Sequence, residues 1–167
     1  MPSSVLRVVV SDAGPLVALG RLGLLHLLPA LFVQVQGKVP NAVLTECMAR
    51  PQNADAARIK FAVDQKWLMP CDAIPINMQG LDLGERAAIA RALEIGAGLL
   101  ADDRAARQHA AALGLVVIGT LGVLVLAKRG GRVASIRPLI EALRTSGQRL
   151  SRVAVAQALT AAHEAPE

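Results

Sequence analysis

Residues 8–19 read VVVSDAGPLVAL. Three valines run into Ser11 and Asp12, and Gly14-Pro15 then opens a second apolar stretch. The β-branched run is the pattern of a buried strand. A carboxylate where such a strand ends marks the place at which open α/β sheets hold their ligands. Asp12 is therefore the first candidate site residue. Its plainer alternative is a hydrogen bond to the turn at Gly14, as Asp makes in many loops.

Outward from this stretch, strand-like and helix-like segments alternate. PLVALGRLGLLHLLPALF (15–32) reads as two short helical pieces, the second ending near Pro29, and LFVQVQ (31–36) alternates like a second strand. PNAVLTECMARP (40–51) is a short helix stopped before Pro51, and NADAARIKFAVDQKW (53–67) is another, with Asn53 as its N-cap. LMPCDAIPI (68–76) is a weak extended segment whose prolines suggest a sheet edge. LDLGERAAIARALEIG (81–96) is a clear helix ending at Gly96. Then come a strand in GLLADD (98–103), a helix in RAARQHAAALG, a strand in LVVIGT (115–120) and a helix in LGVLVLAKRGG. Two more helical stretches, ASIRPLIEALRTSG and SRVAVAQALTAAHE, finish the chain. This order predicts a three-layer α/β/α domain with a mostly parallel sheet. Residues 1–167 are expected to form a single domain, with a core over about 1–130 and a helical extension over about 131–167.

Composition narrows the function. Hydrophobic residues make up 53% and charged residues 19%, which excludes a disordered chain. Aromatic residues are only Phe32, Phe61 and Trp67, so an aromatic platform for stacking bases is not available. The net charge of +5 is compatible with a phosphate-bearing partner. Cys47 and Cys71 form no CxxC, and His26, His109 and His163 are scattered, so neither a disulfide framework nor a zinc site is expected. A reducing cytoplasm follows. The uncharged run 110–127, AAALGLVVIGTLGVLVLA, has the length of a membrane span. Gly114, Gly119 and Gly122 divide it, however, into the end of a helix, a strand and a new helix, so no membrane association is expected. GAGLLA (96–101) matches a loose dinucleotide fingerprint but precedes a strand instead of following one.

The placement of the 13 acidic residues is informative. Asp12 ends one strand, and Asp102 and Asp103 end another. Parallel strands would gather them at one sheet edge. Glu85 lies four and eight residues before Ile89 and Leu93, on the apolar stripe of its helix. Glu46 lies among Val43, Leu44, Cys47 and Met48. Each has a plainer role: Asp102 or Asp103 as a helix N-cap, Glu85 as a first-turn Glu favoured by the helix dipole, Glu46 as a solvated helical residue. Together, carboxylates against apolar segments need compensation, and a divalent metal supplies it. Hard oxygen ligands with few histidines suit Mg²⁺ or Mn²⁺.

The ordered set VVVSDAGPLVAL, VPNAVLTE, LDLGERAAIARAL, GLLADDRAAR and LGLVVIGTLGVLVLAKRGG resembles the PIN-domain ribonucleases, closest to a branch related to the VapC-like toxins of bacterial toxin–antitoxin pairs. The resemblance covers about residues 5–160. It implies a metal site of Asp12, Glu46, Glu85 and one Asp of the ADD pair, with Asp102 favoured and Asp103 as cap or alternative ligand. Two departures stand out: Glu85 occupies a position where many PIN domains have Asp, and the Thr-x-Asp run common in the family is missing. The resemblance further implies Mg²⁺- or Mn²⁺-dependent hydrolysis of RNA to leave a 5′-phosphate, and a cognate antitoxin as partner. Arg86, Arg104 and Arg107 lie beside the ligands and could neutralise the RNA backbone; as solvated arginines they would do nothing special. The apolar GLLHLLPALF stretch leaves room for a homodimer or antitoxin face. A PIN-like module that binds RNA or protein without turnover is the alternative. A receiver-type phosphotransfer domain fits poorly, because LVVIGT ends in Thr120 and Lys128 lies a helix away.

Overall fold

The computed structural model describes residues 9–32 and 37–166. Its centre is β1 (Val9–Ser11), buried along its whole length. A three-residue strand with no exposed face must be covered on both sides, and it is. The other strands are β2 (Gly37–Pro40), β3 (Leu68–Cys71), β4 (Gly98–Leu100) and β5 (Val117–Ile118). They form one five-stranded sheet in the order β3-β2-β1-β4-β5. Every pairing is parallel, with Val10 opposite Lys38 on one side and Leu99 on the other.

Nine α-helices occur among the described residues: α1 (Ala13–Leu22), α2 (Leu27–Leu31), α3 (Asn41–Cys47), α4 (Ala54–Asp64), α5 (Leu83–Ile95), α6 (Arg104–Ala112), α7 (Thr120–Arg129), α8 (Arg137–Thr145) and α9 (Arg152–Ala161). The chain steps from β1 outward to β3, then crosses back to β4 and β5. By the right-handed crossover rule α1 and α4, which pack on each other, lie on one face and α5 and α6 on the other, while α3 packs on both α1 and α5. The fold is thus a three-layer α/β/α arrangement. The core is aliphatic, with Leu16, Leu19, Ile59, Leu68, Ile89, Leu99, Leu100 and Leu124 nearly fully buried. The C-terminal helices belong to the same body: α8 packs on α1, and α9 on α7. Glu164, after α9, accepts hydrogen bonds from Lys128 Nζ (2.9 Å), Ser135 Oγ (2.8 Å), Ile136 N (2.7 Å) and Arg137 N (3.2 Å).

Several boundaries differ from the sequence reading. A second strand is described at Gly37–Pro40. Leu31 ends α2, which runs through Pro29, and residues 33–36 lie outside the described residues. A proline in the first turn of a helix needs no intrahelical donor, so Pro29 is tolerated there. The helix expected over 40–51 stops at Cys47. Asn53 holds the N-cap position of α4 without making a side-chain cap. The uncharged run 110–127 divides into the end of α6, β5 and most of α7, and no helix among the described residues is long and apolar enough to cross a membrane. Cys47 and Cys71 are both free thiols.

Candidate active site

The strand order reverses between β1 and β4, and a crevice opens beyond the carboxyl ends of strands at such a point. Asp12 stands at its lip. Its backbone N–H donates to Leu100 O at 2.9 Å, extending the β1–β4 ladder by one bond. Its side chain is 6% exposed, and Oδ1 has no hydrogen-bond partner. Asp12 also holds the N-cap position of α1 but makes no side-chain cap bond, so the turn-binding role is not taken up. Burial pushes its carboxyl up to about 7; the Ala13 N–H partly offsets this, and the charges of Glu85, Asp82 and Glu46 add to it.

Glu85 and Asp82 come as a unit. Asp82 Oδ1 accepts from Glu85 N at 2.8 Å, and Glu85 Oε2 accepts from Asp82 N at 2.9 Å. This reciprocal capping box starts α5 and fixes both carboxylates beside Asp12. Burial raises the Glu85 carboxyl, the Asp82 N–H lowers it, and the charges of Asp82 and Asp103 raise it further. Glu46, on α3, is more exposed than its apolar neighbours suggested. It nevertheless turns toward α5: a Cβ at Gly84 would stand 3.0 Å from Glu46 Oε2 and 3.5 Å from Asp82 Oδ1. Glycine at 84 is what leaves room for that carboxylate. Burial raises Glu46 as well, helped by Asp82 and Glu85. The neighbouring Cys47 thiol is pushed up to about 12 by burial and by Glu46, Asp12 and Asp55, which keeps it protonated.

The ADD pair divides its work. Asp102 Oδ1 accepts from Thr120 N at 2.7 Å and Oδ2 from Thr120 Oγ1 at 2.6 Å. Asp102 therefore anchors the start of α7 with both oxygens. It also lies over α1, where a Cβ at Gly14 would be 3.5 Å from Asp102 Cβ. Asp103 caps α6, with Oδ1 accepting from Ala106 N at 2.9 Å, and its charge reaches Glu85. The carboxylates bearing on one another thus include Asp82, which the sequence reading passed over. The signal was present in the D-x-x-E spacing of Asp82 and Glu85 ahead of an apolar helix.

The arginines differ in placement. Arg107 is half-buried and donates from Nη1 to Ala101 O at 2.9 Å. Arg86 reaches the Asp82 carbonyl of its own helix at 3.3 Å, and Arg104 is exposed at the start of α6. Among the described residues, none of the three forms an ion pair.

The donor set suits a hard divalent cation: all carboxylates, with one buried oxygen orphaned on Asp12. As the side chains stand, no three acidic, His or Cys groups among the described residues come close enough to enclose one. Glu46 and Glu85 are long side chains, and neither is buried.

A family model described as a PIN domain matches residues 8–164, nearly the whole chain, and spans β1, all four acidic segments and α9. The chain belongs to the PIN-domain family, whose members are generally nucleases. No curated protein matches it.

Proposed function

We propose that this chain is a Mg²⁺- or Mn²⁺-dependent endoribonuclease, the VapC-like toxin of a type II toxin–antitoxin pair, working in the cytoplasm and held by a cognate antitoxin. The toxin role rests on the sequence resemblance. The nuclease reading is carried by Asp12, a buried carboxylate with an orphaned oxygen at the strand-order reversal, whose charge is opposed by those of Glu85, Asp82 and Glu46. Asp12, Glu46 and Glu85 would hold the cation, with Asp82 beside them. For the fourth ligand we take Asp103, since both oxygens of Asp102 are engaged by Thr120. When bound, the cation supplies an activated water and shields the charge developing on phosphate.

The chain's own residues do the rest. Burial pushes the Asp12 carboxyl up to about 7, so Asp12 would hold a cation only in its deprotonated form. The capping box holds Glu85 and Asp82 on the rigid first turn of α5. Arg104 and Arg107 of α6 share a hollow with Asp102, and Arg86 stands on α5; their charges oppose that of the RNA backbone.

One observation favours a second reading. Because no three candidate ligands converge as placed, a PIN-like RNA- or protein-binding module without turnover is the competing function. End-labelled single-stranded RNA incubated with the protein in Mg²⁺, in Mn²⁺ and in EDTA tests the choice, with Asp12→Asn as control. Cleavage in either metal, absent in EDTA and in the variant, is expected. RNA that stays intact in both metals, with no Mn²⁺ uptake by titration, would establish the non-catalytic module.

A further inference from the structure

A cleft of about 660 Å³ opens beside the acidic edge. It runs from Asp102 along β5 and α7 to the loop before α9 and to α9 itself. Its walls are mainly aliphatic, from residues such as Val117, Leu121 and Leu150. The polar groups on them are few: Arg107, Gln148, Arg149, Ser151 and Gln157, besides Asp102, whose two oxygens are bound to Thr120. A mostly apolar concavity of this size with a few polar groups is the form of a small-ligand or cofactor site.

Two further facts say what occupies it. First, the cleft starts at Asp102, which touches the beginning of α1 next to Asp12, so a strand held at the acidic edge leads into it. Second, its cations lack ion-pair partners among the described residues. Arg107 and Arg149, and Arg104 in a smaller hollow that shares Asp102 and Arg107, form no ion pair among the described residues. Arg107 is held in place by Ala101 O at 2.9 Å and stands beside Gly119, where a Cβ would come within 2.8 Å of Nη1. An apolar slot with unpaired guanidinium groups at its rim complements an anionic ligand with a flat, largely apolar body.

We propose that this cleft seats one ribonucleotide of the substrate strand adjacent to the phosphodiester at the acidic edge. Arg107 and Arg149 take its flanking phosphates. The base lies between aliphatic walls, where Gln148 and Gln157 offer amides that can pair with a base edge. With no aromatic side chain on those walls, discrimination rests on those amides and not on stacking. The C-terminal helical extension thereby becomes one side of the substrate groove. The inference rests on the nuclease reading for the direction of the strand, but its test does not need turnover.

The test measures binding of a fluorescein-labelled single-stranded oligoribonucleotide by anisotropy in EDTA. Arg149→Ala removes a rim charge, Ala154→Leu narrows the slot, and Lys60→Ala, on α4, which packs on β3 at the sheet edge opposite β5, is a charge-matched control. Circular dichroism confirms that each variant is folded. Arg149→Ala should weaken binding several-fold and lower the salt slope by about 1. Ala154→Leu should weaken it at least threefold, and Lys60→Ala should leave it unchanged. Weakened binding in both cleft variants, with no cleavage by the wild type in Mg²⁺ or Mn²⁺, would keep the subsite and remove the nuclease. Asp12-dependent cleavage, with both cleft variants binding and cutting like the wild type, would keep the nuclease and overturn the subsite. RNA affinity indifferent to every cleft substitution, alongside binding of an acidic apolar peptide that Arg149→Ala abolishes, would assign the cleft to a protein partner and also overturn it.

Discussion

Asp12 and the ADD pair show how much depends on which atom meets which. Asp12 is costly in its charged form, because burial and three neighbouring acids work against it. Its folded pKa of about 7 lies above the ordinary carboxyl value of 3.8, so the folded state binds the proton more tightly than the unfolded one. Asp12→Asn should therefore raise stability above neutral pH in EDTA, by up to a few kcal/mol, and abolish cleavage. Urea unfolding at pH 8 checks the first half. A large loss of stability would mean that the carboxylate makes a structural bond absent from this structure. Asp102 and Asp103 predict different losses. Asp102→Ala strips both partners from Thr120 and should cost roughly 2 kcal/mol. Asp103→Ala removes one N-cap and should cost about 1 kcal/mol. In a Mn²⁺ titration, Asp103→Asn should weaken binding more than Asp102→Asn. The reverse order would return the ligand role to Asp102.

At the scale of elements, α5 shows why the sequence was legible. An apolar period, a D-x-x-E start and a terminal glycine all specify the same helix, and Gly96 does adopt φ 66° as its C-cap. The strands β1 and β4 were equally readable, because burial on two faces leaves a short apolar run between turns; β3, a partly buried edge strand, showed only as a weak extended segment. Most of the expected strand LFVQVQ lies outside the described residues, and alternation says nothing about where pairing begins: β2 takes its register from Gly37–Pro40 against β3. Of the candidate site, the apolar context singled out Asp12, Glu46 and Glu85, whose charges do bear on one another, although Glu46 itself is exposed. Asp82 was not singled out, although its cap signal was there. The engagement of Asp102 by Thr120 could not be read, since it joins residues on separate elements through side-chain direction. The same limit hid Glu164. Burial opposes its charge, but Lys128, the N–H of Ile136, Ser135 and the N–H of Arg137 outweigh it and hold the carboxyl down to about 2. Glu164→Ala leaves the first turn of α8 without its acceptor and should lower Tm by roughly 5 °C. A Tm within 1 °C of the wild type, by calorimetry at neutral pH and about 0.1 M salt, would show the knot to be idle.

For the whole molecule, these two carboxylates pull stability in opposite directions along the pH axis. Glu164 has a depressed folded pKa, so its contribution is present above the unfolded value near 4.5 and is lost as pH falls toward about 2. Asp12 has a raised folded pKa, so its contribution is full below the unfolded value of 3.8 and is lost as pH rises through about 7. Glu46 and Glu85 shift in the same direction as Asp12, through burial and mutual repulsion, and reinforce the loss. The sum of these four contributions is greatest at about pH 4–5. In EDTA, the denaturant midpoint should fall between pH 5 and pH 8. A bound cation reverses that slope, because it favours the deprotonated carboxylates and binds only the folded chain. Repeating the series in millimolar Mn²⁺ should flatten the fall or turn it into a rise, and Asp12→Asn should respond less to the metal. A midpoint that climbs with pH in EDTA would show that the acidic edge is already compensated by the protein alone. Its carboxylates would then be spectators in a scaffold, and the groove beside them a binding surface without chemistry.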